Sequence, residues 1–76
     1  MMNITLPPLA EGIGKAIVSY WFKQPGDTVK VGEELVELVT DKAAFSMPSP
    51  GAGRIKELLV SEGDSVNVGQ AIAVIE

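Results

Sequence analysis

The chain contains an internal repeat, in which residues 14–39 align with residues 51–76 at a constant offset of 37 and without gaps. The identical pairs in this alignment are Gly14 and Gly51, Gly26 and Gly63, Asp27 and Asp64, Val29 and Val66, Val31 and Val68, and Gly32 and Gly69. Such a repeat predicts two similar halves that pack on each other. Residues 40–43 join the copies, so Lys42 lies on the connection between the halves. We therefore expect Lys42 to be a chemical attachment point rather than a core residue.

Length and composition exclude several kinds of function. The 76 residues suffice for one small domain, spanning 1–76, with a core of marginal stability. No cysteine or histidine is present, which excludes disulfides, thiolate or imidazole metal ligands and the usual general base at neutral pH. The net charge of −4 argues against nucleic-acid binding. No membrane span, signal peptide or transit peptide is apparent, so we expect a cytoplasmic, prokaryotic protein without membrane partners.

The residue pattern favours an all-β fold. Valine, isoleucine and threonine are frequent, and eight glycines and five prolines separate the apolar segments. The predicted strands are 3–6, 15–22, 28–31, 34–39, 44–47, 54–60, 65–68 and 71–75. Residues 33–40 have the best helix propensity, but their repeat partner, 70–76, favours a strand for both. Eight short strands at this spacing predict a sandwich or a flattened barrel.

Two packed copies of similar sequence usually relate by an approximate two-fold axis. This operation would exchange residues 39–42 with the gap between Glu76 and Met1, which places Lys42 at one pole and both termini at the other. Near the start of each half, Leu6-Pro7 resembles Met47-Pro48, at an offset of 41 instead of 37. The first half would therefore carry four extra residues within 8–13. Because the first strand runs towards the lysine pole, we expect this loop beside Lys42.

Several prominent side chains have a structural interpretation. The glycines at 26, 32, 63 and 69 are predicted to form turns that need positive φ. Asp27 and Asp64 would stabilise these turns through their carboxylates. Trp21 is expected in the core rather than on a ligand platform. The glutamates at 33, 34 and 37 fit a solvated strand face and form no recognisable acid–base pair.

Lys42 is the main candidate for chemistry. A lysine that accepts an acyl group must be exposed, accessible to a modifying enzyme and held on a rigid element, and a tight β-turn meets these needs. The segment Leu38-Val39-Thr40-Asp41-Lys42-Ala43, followed by MPSPGAG at 47–53, resembles the lipoyl domains of 2-oxo acid dehydrogenase complexes. The two Gly-Asp turns and the opening LPPLAEG at 6–12 resemble this family as well. The resemblance covers essentially the whole chain.

The resemblance implies a flattened β-barrel of two four-stranded antiparallel sheets with quasi-two-fold symmetry, in agreement with the prediction from the repeat. It also implies that lipoate is attached covalently to Lys42. Asp41 and Ala43 match the flanking positions that modifying enzymes recognise. Val39 departs from the family, which usually has an acidic residue three positions before the lysine. Leu9 and Glu11 are the most prominent side chains of the enlarged loop, and we expect an acylating enzyme to recognise them.

The resemblance further implies a carrier rather than a catalyst, most simply the N-terminal domain of a dihydrolipoamide acyltransferase. A lipoate ligase or a lipoyl transferase would load Lys42. The lipoyl group would then act as a swinging arm between a thiamine-diphosphate 2-oxo acid dehydrogenase component, the acyltransferase core and dihydrolipoamide dehydrogenase. Such a cofactor would supply the sulfur chemistry that the chain itself lacks. The isolated domain is expected to be a monomer.

Two alternatives remain open at the level of the sequence. Biotinyl carrier domains of carboxylases share the lipoyl fold, but methionines flank their lysine, whereas Asp41 and Ala43 flank Lys42 here. The chain could also be a β-rich interaction module that is never modified. Intact mass after incubation with each ligase separates these three functions.

Overall fold

The computed structural model describes residues 1–8 and 14–76, which form eight strands. The strands are β1 (Met2–Thr5), β2 (Lys15–Trp21), β3 (Thr28–Val29), β4 (Glu34–Val39), β5 (Ala44–Pro48), β6 (Gly53–Leu58), β7 (Ser65–Asn67) and β8 (Ala71–Ile75). The predictions for β4 and β8 match these bounds, and the other predicted strands differ by one or two residues at their ends. Residues 33–40 contain a strand, as the repeat indicated. Across the described ranges, no helix is long and apolar enough to cross a membrane.

The strands form two four-stranded antiparallel sheets, which confirms the predicted fold class. One sheet has the order β1-β8-β6-β3 and the other has the order β5-β4-β2-β7. Exchanging β1 with β5, β2 with β6, β3 with β7 and β4 with β8 converts one order into the other. The sheets therefore have the predicted two-fold relation. In this relation the turn between β4 and β5, which carries Lys42, corresponds to the gap between the end of β8 and the start of β1.

The repeated Gly-Asp turns have matching hydrogen bonds in the two halves. The Asp27 carboxylate accepts a hydrogen bond from the backbone N–H of Gln24, and the Asp64 carboxylate accepts one from Ser61, both at 2.8 Å. This confirms that both aspartates stabilise turns. The predicted positive φ angles are also present, at 97° for Gly26, 86° for Gly32, 95° for Gly63 and 88° for Gly69.

The core lies between the two sheets and consists mainly of aliphatic side chains from both halves. Its fully buried members include Ile4, Leu6, Val18, Leu35, Leu38, Ile55, Val66, Ile72 and Ile75. Trp21 is buried with them, as predicted, and its indole Nε1 donates a hydrogen bond to the Val60 carbonyl at 3.2 Å. This bond satisfies the one polar group that the indole brings into the core.

The strand register corrects the predicted size of the enlarged loop. Ile4 pairs with Ala73, and Met47 pairs with Val36, so an offset of 43 relates the first strands of the halves while 37 relates their partners. The first half therefore carries six extra residues rather than four. The prediction was wrong because prolines follow both Met47 and Ser49. The sequence resemblance aligns Pro7 with Pro48, whereas the strand register aligns it with Pro50. The loop residues 9–13, including Leu9 and Glu11, lie outside the described residues.

Candidate functional site

Lys42 lies on the tight turn that connects β4 with β5. The strands end at the pair Val39 and Ala44, and the backbone N–H of Thr40 donates a hydrogen bond to the Ala43 carbonyl at 2.8 Å. The side chains of Asp41, Lys42 and Ala43 are exposed. The structure thus places Lys42 and both of its predicted recognition neighbours together at an accessible, hydrogen-bonded turn.

The Thr40 hydroxyl organises this turn. Its Oγ1 accepts hydrogen bonds from the backbone N–H groups of Lys42 at 3.2 Å and Ala43 at 3.1 Å. The hydroxyl also lies 3.2 Å from the Ala43 carbonyl, to which it can donate. Thr40 was not among the predicted site residues, although a threonine immediately before two exposed turn residues is a signal for this motif. The backbone under Lys42 is therefore held by a side chain as well as by the strand ladder.

We expect Thr40→Val to slow lipoylation while leaving the domain folded. The substitution keeps the β-branched shape and removes the acceptor of two backbone N–H groups at an exposed turn, where water replaces the lost bonds. Each lost hydrogen bond removes about 0.5–1.5 kcal/mol of the free energy that holds the turn in the conformation recognised by the ligase. The initial rate of mass gain with a lipoate ligase measures the effect. Thr40→Ser, which keeps the hydroxyl, is the control, and equal rates for valine and serine would contradict a positioning role for Thr40.

Val39 is half-buried between two strands. Its cross-strand neighbours are Ile17 on β2 and Ala44 on β5. Val39 and Ile17 contribute to a mainly apolar surface depression, which we call the hairpin hollow. Its lining residues are Gly14, Lys15, Ala16, Ile17, Val39, Thr40, Asp41 and Ser65. An apolar surface thus begins directly beside the turn that carries Lys42.

The enlarged loop ends at this same place. Gly14 is the first described residue after the loop, and it lines the hairpin hollow together with Thr40 and Asp41. The Gly14 carbonyl accepts a hydrogen bond from the backbone N–H of Val68 at 2.9 Å, which anchors it to the sheet. The exit of the loop therefore lies beside the lysine turn, while the predicted position of residues 9–13 themselves lies outside the described residues.

The ion pairs among the described residues do not involve the Lys42 amine. Lys23 lies 3.1 Å from Glu33, and its hydrogen bond is the main cause that lowers the pKa of this carboxyl. The Arg54 guanidinium lies 2.6 Å from Glu76 and likewise lowers the pKa of the Glu76 carboxyl. Within residues 1–8 and 14–76, Lys42 takes part in neither pair. An exposed primary amine on a fixed turn fits the requirements for an amide-linked prosthetic group.

Comparisons with known proteins decide between families that share this fold. The biotin/lipoyl family profile, described as "Biotin-requiring enzyme", matches residues 2–75. A solution structure of the lipoyl domain of the 2-oxoglutarate dehydrogenase complex from Azotobacter vinelandii is 32% identical, with a TM-score of 0.78 over 100% of this chain and 96% of that one. The chain belongs to the lipoyl-domain family. The prediction made from the DKA turn and the MPSPGAG segment is thus confirmed, and this lipoyl domain is a carrier whose cofactor is covalently bound lipoate.

Curated relatives carry a similar lipoyl domain as a small part of a longer chain. The dihydrolipoyllysine-residue succinyltransferase component of a 2-oxoglutarate dehydrogenase complex from Staphylococcus saprophyticus is 49% identical over 99% of this chain and 18% of its own length. The dihydrolipoyllysine-residue acetyltransferase component of a pyruvate dehydrogenase complex from Corynebacterium glutamicum is 44% identical over 96% of this chain and 11% of its own length. The chain therefore spans less than a fifth of these relatives.

The biotinyl alternative has weaker support. The urea carboxylase of Kluyveromyces lactis resembles this lipoyl domain with a TM-score of 0.65 over 99% of this chain and 7% of that one, but at 18% identity. That similarity shows a shared fold alone. Because the fold is common to both kinds of carrier, the residues around Lys42 and the closer lipoyl relatives separate them.

Proposed function

We propose that this lipoyl domain carries lipoate in amide linkage to Nζ of Lys42. The observation that carries the proposal is the position of Lys42 on an exposed turn at the connection between the two symmetric halves. The other lysines have different positions. Lys15 begins β2, Lys56 lies within β6, and Lys23 is paired with Glu33. Lys30 directly follows β3.

The proposed parent protein is a dihydrolipoamide acyltransferase of a 2-oxo acid dehydrogenase complex, because the similar curated relatives are acyltransferase components of such complexes. Lipoate supplies a dithiolane that accepts acyl groups and electrons. The domain would present this group to a thiamine-diphosphate dehydrogenase component, to the acyltransferase core and to dihydrolipoamide dehydrogenase. A lipoate ligase or lipoyl transferase would load it.

Asp41 and Ala43 are proposed as recognition residues for the loading enzyme. Both side chains are exposed on either side of Lys42, on a backbone that the Thr40 hydroxyl holds. Recognition of side chains on a fixed turn requires little ordering of the chain on binding. A loading enzyme can thus recognise Lys42 through the residues on either side of it, without contacts to the core of the domain.

Parallel loading reactions distinguish a lipoyl carrier from a biotinyl carrier. The unmodified domain is incubated with ATP and either lipoate and a lipoate ligase or biotin and a biotin ligase, and the intact mass is measured. We expect one lipoyl group per chain in the first reaction and no gain of biotin in the second. A chain that accepts biotin instead supports the carboxylase alternative, and a chain that accepts neither group supports an unmodified interaction module.

Val39 is expected to slow loading by a ligase adapted to the usual acidic residue, so Val39→Glu should raise the lipoylation rate. A hydrogen bond to a charged group contributes roughly 1.5–3 kcal/mol, which corresponds to a rate gain of about tenfold or more with a heterologous ligase. The fold accepts glutamate here, because Glu76 occupies the equivalent position in the second half. Val39→Gln is the neutral control. If the glutamate and glutamine variants are loaded equally fast, charge at this position does not govern recognition.

A further inference from the structure

The two-fold symmetry supplies an internal comparison for the surface beside Lys42. Ile17 corresponds to Arg54, and Val39 corresponds to Glu76, each at the repeat offset of 37. Ile17 and Val39 face each other across β2 and β4. At the equivalent place in the other sheet, the Arg54 guanidinium donates from Nε and Nη2 to Glu76 Oε1, at 3.1 and 2.6 Å. The same backbone position thus holds an ion pair in one half and an apolar pair in the other.

The apolar pair is not required by the fold, because the second half forms the same ladder with charged side chains. The backbone N–H of Glu76 donates to the Arg54 carbonyl at 2.9 Å, as expected for a regular antiparallel pair. Ile17 is nevertheless 50% exposed, which is a large apolar surface on a strand that faces solvent. An apolar pair with an exposed isoleucine beside the attachment point, absent from the equivalent place far from it, points to a contact with an apolar group.

We propose that the hairpin hollow, with Ile17 and Val39 as its apolar surface, is a resting seat for the lipoyl group carried by Lys42. This inference rests on the proposed attachment at Lys42. The lipoyl group matches the apolar surface of the hollow, because it is an aliphatic chain that ends in an apolar dithiolane ring. Its attachment point is also close to the hollow, since Thr40 and Asp41 line the hollow and directly precede Lys42.

Covalent attachment makes even a weak seat effective. A tethered group has a high local concentration at any surface within its reach, so a contact too weak to bind free lipoamide can still be populated. The seated group would be withdrawn from solvent until a partner enzyme displaces it. The arm would therefore alternate between a seated and an extended state, rather than move freely at all times.

Methyl NMR spectroscopy of the lipoylated domain tests the seat directly. Complete loading at Lys42 is first established by tandem mass spectrometry of fragments, so a failure of the proposed function is recognised before the seat is examined. We expect the methyl signals of Ile17 and Val39 to shift on lipoylation and to show nuclear Overhauser contacts with the lipoyl methylenes. Unchanged signals, or contacts at another surface, would overturn the proposal. Changes that arise only after addition of a partner enzyme would overturn it as well and would indicate a protein-docking surface.

A pair of exchange variants provides the second measurement. Ile17→Arg with Val39→Glu copies the ion pair of the second half into the hollow. The two positions are equivalent to Arg54 and Glu76, which form that pair in the other sheet. Arg54→Ile with Glu76→Val is the matched control, which changes the same residue types far from Lys42. The readout is the rate at which a small neutral reagent alkylates the dithiol of the reduced arm, whose aliphatic chain is the part that the seat would still hold. If the seat is occupied at least half of the time, the first variant should react at least about twice as fast as the wild type, and the control should not.

Ile17→Thr separates loss of the apolar contact from introduction of charge. Threonine keeps the β-branched shape but shortens the apolar side chain and adds a hydroxyl, without adding charge. We expect this variant to weaken the Overhauser contacts between the Val39 methyls and the lipoyl methylenes and to raise the alkylation rate in the same direction as the exchange variant. Wild-type alkylation rates in both the exchange variant and Ile17→Thr would contradict the seat.

Discussion

Lys42→Arg is expected to abolish lipoylation completely while leaving the domain folded. Arginine keeps the positive charge and the length of the side chain, but its guanidinium does not accept the acyl group that a lysine amine accepts. The turn itself is maintained by the backbone bond from Thr40 to Ala43 and by the Thr40 hydroxyl, neither of which involves the Lys42 side chain. The free energy of unfolding should therefore change by less than about 0.5 kcal/mol, as for an ordinary surface substitution.

Intact mass after incubation with ligase, lipoate and ATP measures this loss, and a urea titration measures stability. Lys15→Arg is a demanding control, since Lys15 also lines the hairpin hollow and lies close to the turn. This control should gain one lipoyl group at the wild-type rate. A mass gain in Lys42→Arg would show that another amine is the acceptor.

Removal of residues 8–13 is expected to leave a folded domain that is lipoylated but poorly acylated by its thiamine-diphosphate partner. The deletion joins Pro7 to Gly14, in the way that Pro50 precedes Gly51 in the second half. Because the second half forms the same strands without these residues, the fold should not require them. The exit of the loop lies beside the lysine turn, so a partner that reaches Lys42 should contact the loop as well. We expect reductive acylation to fall at least about tenfold, which corresponds to roughly 1.4 kcal/mol of lost docking energy.

The measurement is the rate of acyl mass gain on the lipoylated domain with the cognate enzyme and its 2-oxo acid. Free lipoamide serves as the control, because its rate should not depend on the domain. A double variant, Leu9→Ala with Glu11→Gln, keeps the loop length and should reproduce part of the loss. Normal acylation of the shortened domain would show that the loop is not a recognition element. Unfolding would instead show that residues 8–13 belong to the core.

The repeat made most of this fold predictable. A Gly-Asp turn requires positive φ at glycine and an acceptor at aspartate, and both requirements depend on local sequence, so Gly26-Asp27 and Gly63-Asp64 mark their turns without tertiary information. Correct turns fix the strand bounds to within one or two residues. Two copies with one connection then predict the symmetry, and the symmetry identifies the Lys42 turn.

The features that the sequence did not predict depend on register. The first strand of each half ends near a proline, and a choice between Pro48 and Pro50 requires knowledge of which residues pair across the sheet. In residues 16–22 nearly every residue is apolar, so the sequence pattern does not show which side chains of β2 face the core. A register shift between Val18 and Tyr20 interrupts its alternation. The hairpin hollow was not predicted either, because Ile17 and Val39 are far apart in sequence and become neighbours only through the strand register.

Attachment of the cofactor to the turn between β4 and β5 can be tested by locating the lipoyl group on the wild-type chain. The domain is loaded with lipoate, cleaved with a protease, and its fragments are sequenced by tandem mass spectrometry. We expect a lipoyl group on Lys42 and unmodified Lys15, Lys23, Lys30 and Lys56. A lipoyl group on any of these four lysines, with Lys42 unmodified, would contradict it.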